Sequence, residues 1–384
     1  MKKFAESLKN VLHYPILCAF AVFMAFIFCM DMTSTNRSFS DMENRVLKQR
    51  PAFTVQSLVA NEYTMKYEEY VNDQFIWRDQ WITLKSVSES ALQKIENNGV
   101  AYGRDHYLFE KYTHVDRDQL KKNIGFVQDF VSQHPDQHVT LAVVPNSYAI
   151  LQDKTPAHFV NVPQQPLIDQ VYSSLQGENL SRLDLVSALQ GHSGEYIYYR
   201  TDHHWTTLGA YYAYADYAAS RGLTPAPMAQ LAPLAAQVPG FYGTYYSKAK
   251  LYSAQPDTIT WYNLPVSSVE IDGKSCEGMY DLSKFAVRDK YAAFLWGNHG
   301  VTKIATGKTS GKDGQPTRVL VIKDSYGNSF APFLTQSYDE VWVVDLRHVL
   351  KLSTVLQQGR FDDVLILYNY MNFAQDTNFA RLRY

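Results

Sequence analysis

The chain reads as an α/β protein built on a mostly parallel sheet flanked by helices. Three observations predict this. First, "HVTLAVVP" (138–145), "RVLVI" (318–322), "DEVWVVDLR" (339–347) and "DDVLILYN" (362–369) are short apolar runs bounded by polar turns. Runs of this kind suit strands buried on both faces, as parallel strands are. Second, helical patterns lie between and before them, notably Asp118–Ser132 and "TTLGAYYAYADYAASRGL" (206–223). Third, 384 residues at 46% hydrophobic are enough to bury a large core.

Taken in order, the N-terminus comes first. Lys2, Lys3 and Lys9 precede an uncharged segment, Val11–Met30. As a helix this segment would reach about 30 Å, one hydrocarbon core. Its Phe, Ile, Leu and Val side chains favour insertion by roughly 3–5 kcal/mol in total. The lysines before it and Asp31 after it predict a cytoplasmic tail (1–10) and an extracytoplasmic remainder, following the positive-inside rule. "FCMDMTST" lacks the small-x-small pattern of a cleavage site, so the segment is expected to stay as a single-pass cell-membrane anchor. Cys18 and Cys29 fall inside it, leaving Cys276 alone outside with no intrachain disulfide to form.

Residues 31–60 read as a polar stalk and lead-in. Apolar and aromatic residues recur at helical spacing from Asn61 to Ile95. The extracytoplasmic domain is taken as 61–384. "EYIYYR" (195–200) reads as a strand. Thr206 or Thr207 can cap the helix that follows, and Gly222 lies past its end. Residues 225–310 consist of short alternating or aromatic runs, read as a β-rich insertion covering the site. The net charge of −2 gives no nucleic-acid footprint.

Functional side chains in open α/β sheets sit past the carboxyl ends of strands. Two places qualify. Asp202-His203-His204 follows "EYIYYR", and Ser325 follows "RVLVI" in a turn that opens a helix from Asn328. A serine there can expose its hydroxyl and present backbone N–H groups to an oxyanion. It still needs a base, and a histidine oriented by a carboxylate supplies one. Asp202 and His204 are two apart, which in an extended loop puts both on one side and His203 on the other. Asp202, His204 and Ser325 then form a candidate triad. An imidazole of ordinary pKa near 6.5 predicts loss of activity below about pH 6. Two rivals stand beside it: the Asp-His-His run as metal ligands, disfavoured because adjacent side chains rarely converge on one ion, and a packed cluster without chemistry. Ser147, also past a strand, is an alternative nucleophile.

Asp202-His203-His204-Trp205, followed about 120 residues later by Lys323-Asp324-Ser325-Tyr326, resembles the DHHW protein family. "FSDMENRVLKQRP", "YVNDQFIWRDQW", "NNGVAYGRDHYLFE", "YAAFLWGNHG", "VLVIKDSYGNSFAPFL" and "VWVVDLRHV" resemble family segments in order. The family is related to the alginate O-acetyltransferases AlgJ and AlgX, which are SGNH-hydrolase-like. The resemblance implies an SGNH-like fold and an O-acetyltransferase in which Asp202 and His204 are the acid and base and Ser325 is the nucleophile. It implies a polysaccharide acceptor, a membrane-bound O-acyltransferase as acyl donor, no metal and no cofactor. Gly297-Asn298 resembles the Gly and Asn of SGNH oxyanion holes, so Asn298 joins Ser325 there. His203, Tyr326 and Arg347 are the expected substrate-binding residues; Arg347 has a salt bridge to Asp345 as its structural alternative. A carbohydrate esterase with the same triad and a non-catalytic polysaccharide-binding scaffold are the competing functions.

Overall fold

The computed structural model describes residues 14–349 and 351–383. The expected tail (1–10) and the first three residues of the apolar segment lie outside the described residues. The chain packs as two compact units. One runs to Lys94 and includes Lys250–Tyr252; the other comprises Ile95–Ala249 and Ser253–Tyr384.

In the first unit, α1 (Pro15–Thr33) has 19 residues, of which a run of 18 has a mean hydropathy of 2.2, long and apolar enough to cross a membrane. Pro15 stands in its first turn, where a missing N–H breaks no helical bond. The lead-in after α1 is pinned rather than free. Buried Asp73, on α2 (Glu62–Gln74), accepts from both terminal nitrogens of Arg45, at 2.7 and 2.5 Å, and from Lys48 N at 2.8 Å. Glu43 pairs with Lys250 at 2.9 Å and with Arg78, which opens α3 (Arg78–Ala91). These helices, read from sequence as the start of the outer domain, belong to this unit.

The second unit is organised by an eight-stranded sheet. Its strands, labelled in chain order, are β1 (His138–Val144), β2 (Leu180–Leu183), β3 (Ser268–Ile271), β4 (Lys274–Cys276), β5 (Val301–Ala305), β6 (Arg318–Lys323), β7 (Glu340–Val344) and β8 (Asp363–Asn369). The spatial order is β4-β3-β5-β7-β6-β8-β1-β2. The five strands from β7 to β2 pair in parallel. The α/β class and mostly parallel sheet expected from the apolar runs are therefore the ones adopted. All seven residues of β8 are buried, as a central parallel strand requires.

Two expectations change. Residues 225–310, expected as an insertion over the site, are in part built into the sheet: β3, β4 and β5 extend its edge as antiparallel strands. Only the hairpin Ala235–Phe241 with Asp257–Tyr262 stands apart as its own two-stranded sheet. The run "EYIYYR" makes no strand, only an isolated bridge from Tyr198 to Trp205. The reason lies in Asp257. Its carboxylate accepts from the N–H groups of Arg200 and Thr201, both at 2.9 Å, so these donors go to a side chain and the backbone bends.

β1 leads outward to β2, and β6 leads outward to β7 in the opposite direction. Carboxyl ends of strands near such a divergence are where ligands bind in open sheets. Helix α4 (Arg117–Gln133) packs on the C-terminal segment. Helix α5 (Thr207–Ser220) packs on α6 (Gly327–Leu334), which follows β6. Thr206 caps α5 by accepting from Gly209 N at 3.3 Å.

Candidate active site

The turn after β6 is shaped by its own residues. Asp324 Oδ1 accepts from Tyr326 N at 2.9 Å, an Asx-type turn. Its Oδ2 accepts from Asn369 N at 2.9 Å and Asn372 Nδ2 at 2.7 Å, which fastens the turn to the end of β8. A Cβ at Gly327 would lie 2.6 Å from Lys323 Cβ, so only glycine lets the chain double back into α6 here. Every residue from Val319 to Thr335 is buried except Ser325. The fold therefore lifts one hydroxyl out of the core.

The bent segment 201–205 is brought against this turn by Trp205. The indole is fully buried, and its N–H is shared between Tyr326 O at 3.1 Å and Ser329 Oγ at 3.0 Å. His204 Nε2 then lies 2.7 Å from Ser325 Oγ, and His204 Nδ1 lies 2.5 Å from Asp202 Oδ1. An ionised carboxylate only accepts, so Nδ1 carries the ring proton. Nε2 is left with a lone pair that accepts from the serine hydroxyl. Asp202 is itself held: Oδ2 accepts from Thr244 N at 2.7 Å, and Oδ1 also from His204 N at 3.0 Å. A Cβ at Gly243 would come within 2.1 Å of Asp202 Cβ, so the acid packs directly against a backbone without a side chain. Tyr291, which sequence reasoning missed, stacks on the His204 ring at 3.8 Å and donates to Ser325 O at 3.0 Å. Its only sequence signal is its place in the family-like segment "YAAFLWGNHG".

Electrostatics follow from burial and proximity. Burial pushes Asp202 up, but the His203 and His204 rings outweigh it and hold the carboxyl well below the usual range. Burial, then the neighbouring His203 charge, pushes His204 down to about 4 against the pull of Asp202. Burial also acts to lower His203, yet Asp202 prevails and raises it.

The remaining predicted residues are placed as follows. His203 does not turn away. Its ring lies 3.7 Å from that of His204, because the segment bends instead of extending, and its Nδ1 lies 2.7 Å from Thr244 Oγ1. The ring is partly exposed. Tyr326 is fully buried, with its hydroxyl donating to His203 O, so it sits in the interior and not on a face open to a polymer. Arg347 forms a two-pronged pair with Asp345, at 2.8 and 2.5 Å, and stays one-third exposed. Asn298 Oδ1 accepts from Lys323 Nζ at 3.1 Å and Asn328 Nδ2 at 3.0 Å. The Gly297 N–H is committed to Phe294 O at 3.0 Å. Ser325 N–H makes no hydrogen bond among the described residues. Ser147 is buried at the start of a short helix, and no histidine bonds it among the described residues.

One atom each from Asp202, His203 and His204 lie within 4.8 Å of one another, as a metal site would require. Both His204 nitrogens and both Asp202 oxygens already have partners, however. That donor set fits a proton relay better than an ion.

Fold and site together define an α/β protein with an aspartate, a histidine and a half-exposed serine linked in series at the carboxyl edge of its sheet. The chain belongs to the DHHW protein family, whose sequence pattern matches residues 136–344. A DHHW family protein from Eubacterium siraeum is similar to it at 25% identity and a TM-score of 0.64, over 75% of this chain and 96% of that one. Bacillus cereus PatB1 is similar in fold at 19% identity and a TM-score of 0.58, over 72% of this chain and 97% of that one. PatB1 with a sulfonyl adduct is similar at 18% identity and 0.57, over 73% and 99%. No curated protein matches the chain significantly.

Proposed function

We propose that this chain is a membrane-anchored, extracytoplasmic O-acyltransferase that moves an acyl group, acetyl by family resemblance, onto hydroxyls of an exopolysaccharide or cell-wall polymer. The observation that carries this reading is the series Asp202–His204–Ser325, at 2.5 and 2.7 Å, ending on the single surface-reaching residue of its turn. His204 Nε2 takes the Ser325 proton as Oγ attacks the donor's acyl carbon. The carbonyl oxygen becomes an oxyanion, met by Ser325 N–H and the Asn298 side chain. The imidazolium then gives its proton to the departing donor group, leaving an acyl-serine. A sugar hydroxyl enters next, surrenders its proton to His204 and attacks the acyl carbon. Ser325 leaves with that proton and a sugar ester is formed. Asp202 holds the tautomer and steadies the imidazolium throughout.

The proposed donor is a membrane-bound O-acyltransferase that exports the acyl group, and α1 keeps the enzyme beside it. His203 and Arg347, both partly exposed, are the proposed acceptor contacts. Since PatB1 has been trapped with a sulfonyl adduct, the direct test is a sulfonyl fluoride. Mass spectrometry should find the sulfonyl group on Ser325 and nowhere else; an unlabelled Ser325 in a folded, ester-cleaving protein refutes the reading. Water in place of the sugar makes the same triad an esterase. With oligosaccharide supplied, acetylated sugar should accumulate; free acetate alone, whatever the acceptor, favours the esterase.

A further inference from the structure

An oxyanion needs donors, and an asparagine amide can present either a donor or an acceptor to it. Asn298 faces this choice. Two groups contact its Oδ1, Lys323 Nζ at 3.1 Å and Asn328 Nδ2 at 3.0 Å. Asn328 cannot decide the matter. Its own Oδ1 is buried with no partner among the described residues. If both amides turned over, Asn298 Nδ2 would donate to that orphaned oxygen, and the pair would be equally well bonded. With Asn298 serving the oxyanion, as the family resemblance implies, a turned amide would offer it an oxygen in place of a donor. Lys323 removes the degeneracy. An ammonium has three donors and no lone pair, so it accepts nothing. A turned Asn298 would set N–H against N–H.

We infer that Lys323 is a positioning residue: it locks the amide of Asn298 so that Nδ2, and not Oδ1, is offered to the oxyanion at Ser325. This rests on the acyltransferase reading above. Asn298 Nδ2 makes no hydrogen bond among the described residues, so the donor is uncommitted. Lys323 closes β6 two residues before Ser325, and Asn328 N donates to Ser325 O at 3.2 Å, which keeps the lock beside the nucleophile. The ammonium is held by Asp345 Oδ2 at 3.2 Å, an oxygen that Arg347 also binds. Lys323 is only 2% exposed. Buried ion pairs add little stability compared with apolar side chains of the same volume, so its presence here calls for another reason. Arg347 thereby gains a role too, anchoring the carboxylate that keeps Lys323 in place.

The test is a double-mutant cycle on the full-length protein in detergent, with an activated phenyl acetate as substrate. Lys323→Met should lower kcat by about 10- to 100-fold with KM within about twofold, approaching the loss expected when an oxyanion donor goes. Asn298→Ala should cost about 100-fold or more. The double variant should be no slower than Asn298→Ala, because a lock has no effect without its amide. Equal losses from Lys323→Met in both backgrounds, or unchanged kcat, overturn the inference. If Lys323→Met fails to fold, Lys323→Gln takes its place: an amide can accept as well as donate, so it no longer excludes the turned Asn298, and kcat should fall by about 10-fold or more. Wild-type activity in it refutes the lock. Ser325→Ala separates the two layers. If that variant is active, the acyltransferase reading itself fails; if it is inactive while the cycle is additive, only the lock fails.

Discussion

The Trp205 indole N–H donates to the Tyr326 carbonyl at 3.1 Å, across 121 residues of sequence. This contact joins the segment of Asp202 and His204 to the turn that carries Ser325. Trp205→Phe keeps most of the ring packing and removes one donor from two buried acceptors, whose remaining bonds are that of Ser329 Oγ to Tyr326 O at 3.4 Å and that between Ser329 Oγ and the Tyr291 hydroxyl at 3.1 Å. A stability loss of about 1–3 kcal/mol is expected in urea unfolding. Ester hydrolysis should slow as well, since the 2.7 Å approach of His204 to Ser325 depends on that clamp. Unchanged stability and rate would show that the two segments are held together by other means.

A triad acts as a unit. Ser325→Ala and His204→Ala should each lower turnover by roughly 10⁴–10⁶, and the double variant should be hardly worse than either. Asp202→Asn should retain more activity, since the base survives in the wrong tautomer. Steady-state hydrolysis of an activated acetate ester measures all four. Full activity after chelation together with these losses separates the triad from a metal site at the same residues.

The structure changes the pH profile to be expected. An ordinary imidazole would lose its lone pair below about pH 6. His204 is instead pushed down to about 4, by burial first and the His203 charge next. A lower pKa keeps the base unprotonated in more acid solution, so kcat/KM should persist below pH 6 and fall toward pH 4. His203→Asn removes the repelling neighbour and should move the acid limb to higher pH. A limb that stays put in this variant would mean that His203 does not set the pKa of His204.

The anchor can be tested by fusing a reporter active only outside the cytoplasm after Tyr384. Reporter activity is expected, with the protein in the membrane fraction and Met1 or Lys2 at its N-terminus. A mature chain beginning near Thr33 would identify the apolar segment as a cleaved signal.

The sequence determined the class of the molecule. Apolar runs such as "DDVLILYN", short, with β-branched residues and bounded by polar turns, suit strands covered on both faces, and β8 is buried along its whole length. The 19-residue apolar α1 is legible for a similar reason: its composition is its property. The turn that carries Ser325 was legible because its determinants are local; Asp324 and Gly327 shape it within four residues of one another. Side-chain direction was not legible. Asp257 captures two backbone donors, turns an expected strand into a bend, and so leaves the His203 ring 3.7 Å from that of His204, tilted against it, instead of pointing it away. Nothing in the spacing of Asp202, His203 and His204 carries that information, because the capturing carboxylate lies more than fifty residues on. Asn298, Lys323 and Asp345 meet for the same reason. They come from separate segments of the chain, and only the order in which its strands and loops pack decides which of their hydrogen-bonding atoms face one another.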